Sequence, residues 1–212
     1  MSPLSSDERS LLLRLARRSL EAAVSGEQTP LPYVPPGPLR ALGAAFVSLH
    51  KKNGELRGCI GTILPTQPLY RTVMEAAASA ARQDPRFEPV RAVELSALEA
   101  EVSVISPCQE VPSEALPQAV QTGIHGVMVS RKDLRGVLLP QVAVEKNWDS
   151  RQLLEEACKK AGLPPNAWER GAKVEIFTAE VFSEQSEPGG EKDGPLPATP
   201  SPQRLRDKYP PG

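Results

Sequence analysis

Metal-binding and disulfide-forming residues are scarce in this sequence. Its 212 residues include two histidines, His50 and His125, and three cysteines, Cys59, Cys108 and Cys158. The cysteines are odd in number and far apart, which excludes a disulfide scaffold and a structural zinc site as sensible readings. Reduced thiols in a cytoplasmic protein fit better. A charge excess is also missing. Twenty-five Lys and Arg nearly cancel 26 Asp and Glu, for a net charge of -1, which argues against a strongly basic nucleic-acid binder and leaves only a local patch open. No apolar run approaches the roughly 20 residues needed to cross a bilayer. The start MSPLSSDERS lacks the basic-then-apolar order of a secretory signal. There is no Gly-rich phosphate loop with Lys-Thr, no dinucleotide fingerprint, no HExxH and no Gly-x-Ser-x-Gly turn. Internal repeats and coiled-coil heptads are absent too. What remains is a chain with 40% hydrophobic residues, enough for one substantial core and a smaller lobe attached to it.

The segment DERSLLLRLARRSLEAAVSG predicts a helix. Ser5 and Glu8 have capping-box spacing, Leu11 and Leu15 share a face, and Gly26 is a stop signal. The prolines of TPLPYVPPGP predict an extended loop. AAFVSLHKKNGELRGCIG predicts a hairpin turning at Asn53-Gly54, with His50 near its tip and mostly at the surface. Thr66 is a candidate cap for a second helix, with Pro68 in its first turn and Leu69, Val73, Ala77 and Ala80 on its inner stripe. Residues 99–105 alternate as a half-buried strand. A Pro-, Gln- and Glu-rich loop follows, to about Gln121. GIHGVMVS and RGVLLPQVAV read as paired extended segments around Arg131-Lys132-Asp133, with Pro140 suiting an edge strand. Asp149 and Gln152 form a second capping box, with Trp148 and Leu153 as its hydrophobic staple. KVEIFTAEVF is the last strand expected, and residues 185–212 read as a flexible Pro/Gly-rich tail. The order of elements predicts an α+β fold, a mixed or antiparallel sheet packed by helices, over 8–184.

Chemistry concentrates in Arg57-Gly58-Cys59-Ile60-Gly61. Gly58 and Gly61 either bend the backbone so that its amides meet a ligand, or allow close packing. Cys59 is either a plain buried thiol or a nucleophile activated by Arg57 or a histidine. In a regular strand Arg57 and Cys59 share a face, which calls for a partner to Arg57. Glu55 has the right parity. His125, among small residues, is a candidate general base or a ligand for a backbone carbonyl. Asp84 is a turn acceptor at a helix end or an orienting acid. Arg86 pairs with Asp84 or Glu88, or binds a substrate carboxylate or phosphate. Gln141 either donates into a pocket or closes a turn. Arg14, Arg17 and Arg18 make a short basic stretch that a solvated helix face explains better than RNA does. Nothing here points to a metal or a cofactor.

In order, Leu56-Arg57-Gly58-Cys59-Ile60-Gly61, Asp84-Pro85-Arg86-Phe87, Glu94-Leu95, Glu101-Val102-Ser103-Val104, Leu139-Pro140-Gln141-Val142 and the segment from Trp148-Asp149 to Gly162-Leu163 resemble the AMMECR-one domain family. The resemblance implies a larger and a smaller lobe, with the LRGCIG segment near the groove between them. It also implies a prokaryotic gene neighbourhood with Memo-like and radical SAM proteins, the AmmeMemoRadiSam system, and so a role as partner in a modification pathway. The chain has no CxxxCxxC run and is not itself the radical enzyme. Two functions follow. One is an enzyme or enzyme subunit with Cys59 as nucleophile, Arg57 as anion clamp and His125 as base. The other is a non-catalytic scaffold that binds a peptide or small molecule.

Overall fold

The computed structural model describes residues 3–27 and 33–186, so the tail expected over 185–212 lies, from 187 onward, outside the described residues. The chain divides into two compact units. Of the described residues, the larger takes 3–27, 33–103 and 181–186; the smaller is Val104–Glu180.

In the larger unit, helix α1 (Ser6–Ser25) begins with the expected capping box, Ser5 and Glu8 each bonding the other's backbone N–H. It ends at Gly26 in the left-handed region, φ 78°. Strands β1 (Ala44–Lys51) and β2 (Leu56–Thr62) form the antiparallel hairpin, with Gly54 at φ 83° in the turn. Helix α2 (Leu69–Arg82) packs against α1 and against both strands. Its cap is Pro68, with no side-chain bond. Thr66 therefore does not cap it; Leu69 N–H instead bonds Ala41 O at 2.9 Å across the loop. Strand β3 (Leu98–Ile105) and strand β8 (Ala179–Ser183) complete a four-stranded sheet in the order β2-β1-β3-β8. The core between helices and sheet holds Leu12, Leu15, Leu20, Val47, Leu49, Val73, Ala77 and Val102, each fully shielded from solvent.

A charged residue reaches into this core. Arg17 is 2% exposed, on the stripe Leu13, Arg17, Leu20. Its guanidinium meets both oxygens of the Glu184 carboxylate and the carbonyls of Leu95 (3.2 Å) and Leu98 (2.8 Å). Glu184 also accepts the Ala100 N–H at 2.9 Å. The solvated-face reading of this arginine is thus wrong. The i, i+4 spacing to apolar neighbours outweighs residue type, because a carboxylate from beyond β8 satisfies the charge.

In the smaller unit, strand β4 (Gln109–Glu110) opens a second four-stranded sheet. It is joined by β5 (Gly126–Arg131), β6 (Leu134–Leu138) and β7 (Lys173–Phe177), in the order β4-β7-β5-β6, with every pairing antiparallel. The β5–β6 hairpin turns at Lys132, φ 54°. Pro140 does not sit in an edge strand. It starts a short helix, α3 (Pro140–Glu145), where its missing N–H costs nothing. Helix α4 (Ser150–Lys160) has the expected Asp149–Gln152 capping box and leaves through Gly162, φ 73°. Leu153, Leu154, Ala157 and Cys158 bury its inner face with Val127, Val129 and Trp168. KVEIFTAEVF is two strands rather than one. It breaks at Thr178, whose N–H and C=O both bond Ser106 (2.9 Å each), and its halves enter different sheets.

Candidate functional site around Cys59

Strand β2 is an edge strand, and the segment 84–94 covers its outer side. Cys59 N–H donates to Asp84 Oδ2 at 2.8 Å, and Arg86 Nη2 donates to Cys59 O at 3.3 Å. A single acid–base pair therefore satisfies both edge-facing backbone groups of the cysteine, where a neighbouring strand would otherwise bond. The pair is closely made. Arg86 reaches Asp84 through Nε (2.9 Å), Nη2 (2.7 Å) and its own backbone N–H (3.1 Å). Asp84's side chain is 2% exposed and Arg86's is 55%. The guanidinium also lies 5.3 Å from the Phe87 ring centroid, a cation–π contact. The Arg86 hydrogen bond is the main cause that holds the Asp84 carboxyl down at about 2, against burial pushing it up, with help from the Cys59 and Arg86 N–H groups. Arg86 in turn is raised, chiefly by Asp84 and in smaller part by the neighbouring Cys59 side chain.

Arg57 lies one bulge away. Leu49 pairs with Gly58 and His50 with Leu56, so Arg57 is the extra residue that a β-bulge re-aims. Its partner is not Glu55, which instead bonds Lys51 at 3.0 Å. Nε and Nη2 of Arg57 hold Glu94 at 2.9 and 3.2 Å, and Nη1 holds Glu88 O at 2.8 Å. Glu94 is pulled down to about 2, first by Arg57 and then by the Arg91 N–H. All three guanidinium nitrogens therefore bond groups of the same covering segment. In the sequence Glu94 stands out only within the family pattern. Its usable local signal is its place three residues after Arg91, whose N–H it caps at 2.9 Å.

The two glycines allow close approach. A Cβ on Gly58 would stand 2.3 Å from Ala80 O of α2, and one on Gly61 would stand 2.3 Å from Ala45 O and 2.4 Å from Phe46 Cα of β1. Helix α2 thereby rests on β2 backbone to backbone, directly beneath the cysteine.

His125 and Gln141 belong to the smaller unit, whereas Cys59, Arg57, Asp84 and Arg86 belong to the larger. His125 is half-buried, and its Nδ1 accepts the Gln121 N–H at 3.1 Å. The ring bonds a backbone N–H, not a carbonyl, and closes the 121–125 turn. Gln141 is half-buried in the first turn of α3. Among the described residues, no group of three or more His, Cys, Asp or Glu is placed to hold a metal ion, and no helix is long and apolar enough to cross a membrane.

Fold and site together define an α+β protein of two units, with a partly exposed cysteine bracketed by an acid–base pair on a sheet edge. The chain belongs to the AMMECR1 family, whose model matches residues 13–182. It is 42% identical over 194 residues to Protein PF1979 of Pyrococcus furiosus, spanning 87% of this chain and 92% of that protein. A protein of Methanothermobacter thermautotrophicus is 43% identical over 188 residues, spanning 86% of this chain and 97% of its own length. The crystal structure of the uncharacterized protein PH0010 from Pyrococcus horikoshii superposes with a TM-score of 0.78 at 39% identity, covering 89% of this chain and 95% of that one.

Proposed function

We propose that this chain is an enzyme subunit of a cytoplasmic modification pathway that also uses Memo-like and radical SAM proteins, and that Cys59 is its reacting group. The observation that carries the reading is the bracket. Both backbone polar groups of Cys59 are fixed by Asp84 and Arg86, whose guanidinium bonds its carbonyl, while the residue stays partly exposed. A cysteine held rigidly, with a guanidinium on its own carbonyl, suits attack on an electrophilic carbon or contact with an anionic group. In this reading Arg86 is the anion contact and Asp84 positions both Arg86 and Cys59. Arg57 supports the segment that carries them. The substrate is a small molecule or a side chain delivered by a partner. The test is reconstitution with the Memo-like and radical SAM proteins. Cys59→Ala and Cys59→Ser should abolish turnover without loss of fold; unchanged turnover in Cys59→Ala would remove the reading.

A second reading, a non-catalytic scaffold for a peptide or small molecule, draws on one observation. The guanidinium of Arg57 is fully engaged inside the protein. Under that reading Cys59→Ala leaves pathway activity intact, and a variant that fails to co-purify with either partner protein loses activity.

A further inference from the structure

One edge of β2 has no neighbouring strand, and the bracket closes only part of it. Cys59 turns both of its backbone groups outward, to Asp84 and Arg86, so Ser48 and Cys59 face each other without ladder bonds. Such pairs alternate with bonded ones in an antiparallel ladder. Phe46 and Gly61 are the next such pair, and the N–H and C=O of Gly61 therefore point outward as well. Among the described residues nothing bonds these two groups, and Gly61 is partly exposed. Arg86 supplies a third open group. Asp84 fills the Nε–Nη2 side of its guanidinium. The other Nη2 hydrogen lies on the side shared with Nη1, and it holds Cys59 O. Nη1 is thus the donor beside that carbonyl. No described residue bonds it, and the Arg86 side chain is 55% exposed.

An open pair of edge groups is a template to which an extended peptide adds as a strand. The bracket decides which peptide. A strand running antiparallel to β2 passes Thr62, reaches Gly61 and then meets Cys59, whose outward groups are already taken. It pairs no further, so its end falls there. With the last residue opposite Gly61, its N–H donates to Gly61 O and one carboxylate oxygen accepts the Gly61 N–H. The other oxygen faces Arg86 Nη1 for a charge-assisted bond. A parallel strand would instead bring its ammonium end to the guanidinium, which repels it. The last side chain lies on the same face as its ladder partner Gly61. There the Phe46 ring leans over the glycine, its Cδ1 2.6 Å from where a Gly61 Cβ would stand, and Cys59 shares that face. We infer that the edge of β2 at Gly61 docks the C-terminus of a partner polypeptide as an added antiparallel strand, with the terminal carboxylate on Arg86 and an apolar last side chain beside Phe46. This docking rests on Arg86 as the anion contact of the reading above, and it makes the partner's chain end the group presented to Cys59.

The experiment titrates the ¹⁵N-labelled full chain with acetyl-valyl-threonyl-leucine, followed by NMR. Three comparison ligands are its C-terminal amide, its analogue with an N-methylated last residue, and 4-methylpentanoate. The free acid should give saturable shifts at the Gly61 amide and the Arg86 side chain. The amide, which lacks the charge, and the N-methyl peptide, which lacks the donor for Gly61 O, should each bind at least about tenfold more weakly. These comparisons use the unaltered protein and so do not depend on a variant that folds. Arg86→Gln should also weaken the acid at least about tenfold, and Arg86→Lys less. Cys59→Ser should bind it as wild type does, which separates docking from the chemistry of the thiol. Docking as described, with reconstituted turnover unaffected by Cys59→Ala, would support this inference and remove the enzyme reading alone. Four results overturn the inference and leave the enzyme reading standing: no saturable shift by about 10 mM peptide, amide and acid of equal affinity, N-methyl peptide and acid of equal affinity, or 4-methylpentanoate binding as tightly as the peptide.

Discussion

Both units press a helix onto an edge strand through a glycine, yet only one of them surrounds that contact with charge. In the larger unit α2 meets β2 at Gly58, where an added Cβ would lie 2.3 Å from Ala80 O. In the smaller unit α4 meets β6 at Gly136, with Ala157 O at the same 2.3 Å. The steric device is identical. Next to Gly136 the helix contributes Cys158, fully buried in an apolar cluster. Next to Gly58 the strand contributes Cys59, partly exposed, with Asp84 and Arg86 on its backbone. A glycine in a strand therefore marks close packing in either unit. The candidate site is marked instead by the polar groups that close the open edge beside it.

The comparison is broken most severely by removing the buried charge on which only the larger unit depends. Arg17→Met should leave the Glu184 carboxylate shielded and uncompensated, at a cost of about 3–5 kcal/mol, read as a fall in the chemical-denaturation midpoint. Asp84→Asn should cost less, about 2 kcal/mol at neutral pH, from the displacement of its carboxyl to about 2. Its pH dependence has a definite sign. The folded-state value lies below the ordinary 3.8, so the contribution is whole above about pH 4 and is lost as the pH falls through about 2. The stability gap between wild type and Asp84→Asn should therefore narrow steadily over that window, and a gap independent of pH would contradict the assignment. Gly58→Ala and Gly136→Ala sharpen the comparison further. Each should cost about 1–3 kcal/mol by overpacking against a carbonyl, but only Gly58→Ala should change the reactivity of Cys59. Equal effects of both on that thiol would mean that the two units differ less than the bracket suggests.

Much of this fold is legible in the sequence, because local rules decide its elements. Ser5 with Glu8, Asp149 with Gln152, and Gly26 and Gly162 mark helix ends whose bonding partners lie within a few residues. Contacts set by distant residues are not legible. Nothing near KVEIFTAEVF announces that Ser106 breaks it at Thr178, and nothing near Leu139 separates a proline-interrupted strand from a helix beginning at Pro140. The site divides the same way. Asp84 and Arg86 can be read as a pair because they are two residues apart. Their joint bond to Cys59, 25 residues earlier, comes from the tertiary fold. The parity argument that gave Arg57 to Glu55 failed because it assumed a regular strand, and the bulge at Arg57 removes that regularity.

The most direct test of the central claim is the alkylation rate of each cysteine in the native full-length chain, resolved by peptide mass spectrometry. Burial pushes the thiols of Cys108 and Cys158 up, away from the reactive thiolate. The account predicts that Cys59 is modified first, Cys108 more slowly and Cys158 only on unfolding, and that Arg86→Ala slows the reaction at Cys59 alone. Protection of Cys59 to the same degree as Cys158 would show a packed cysteine and contradict the account.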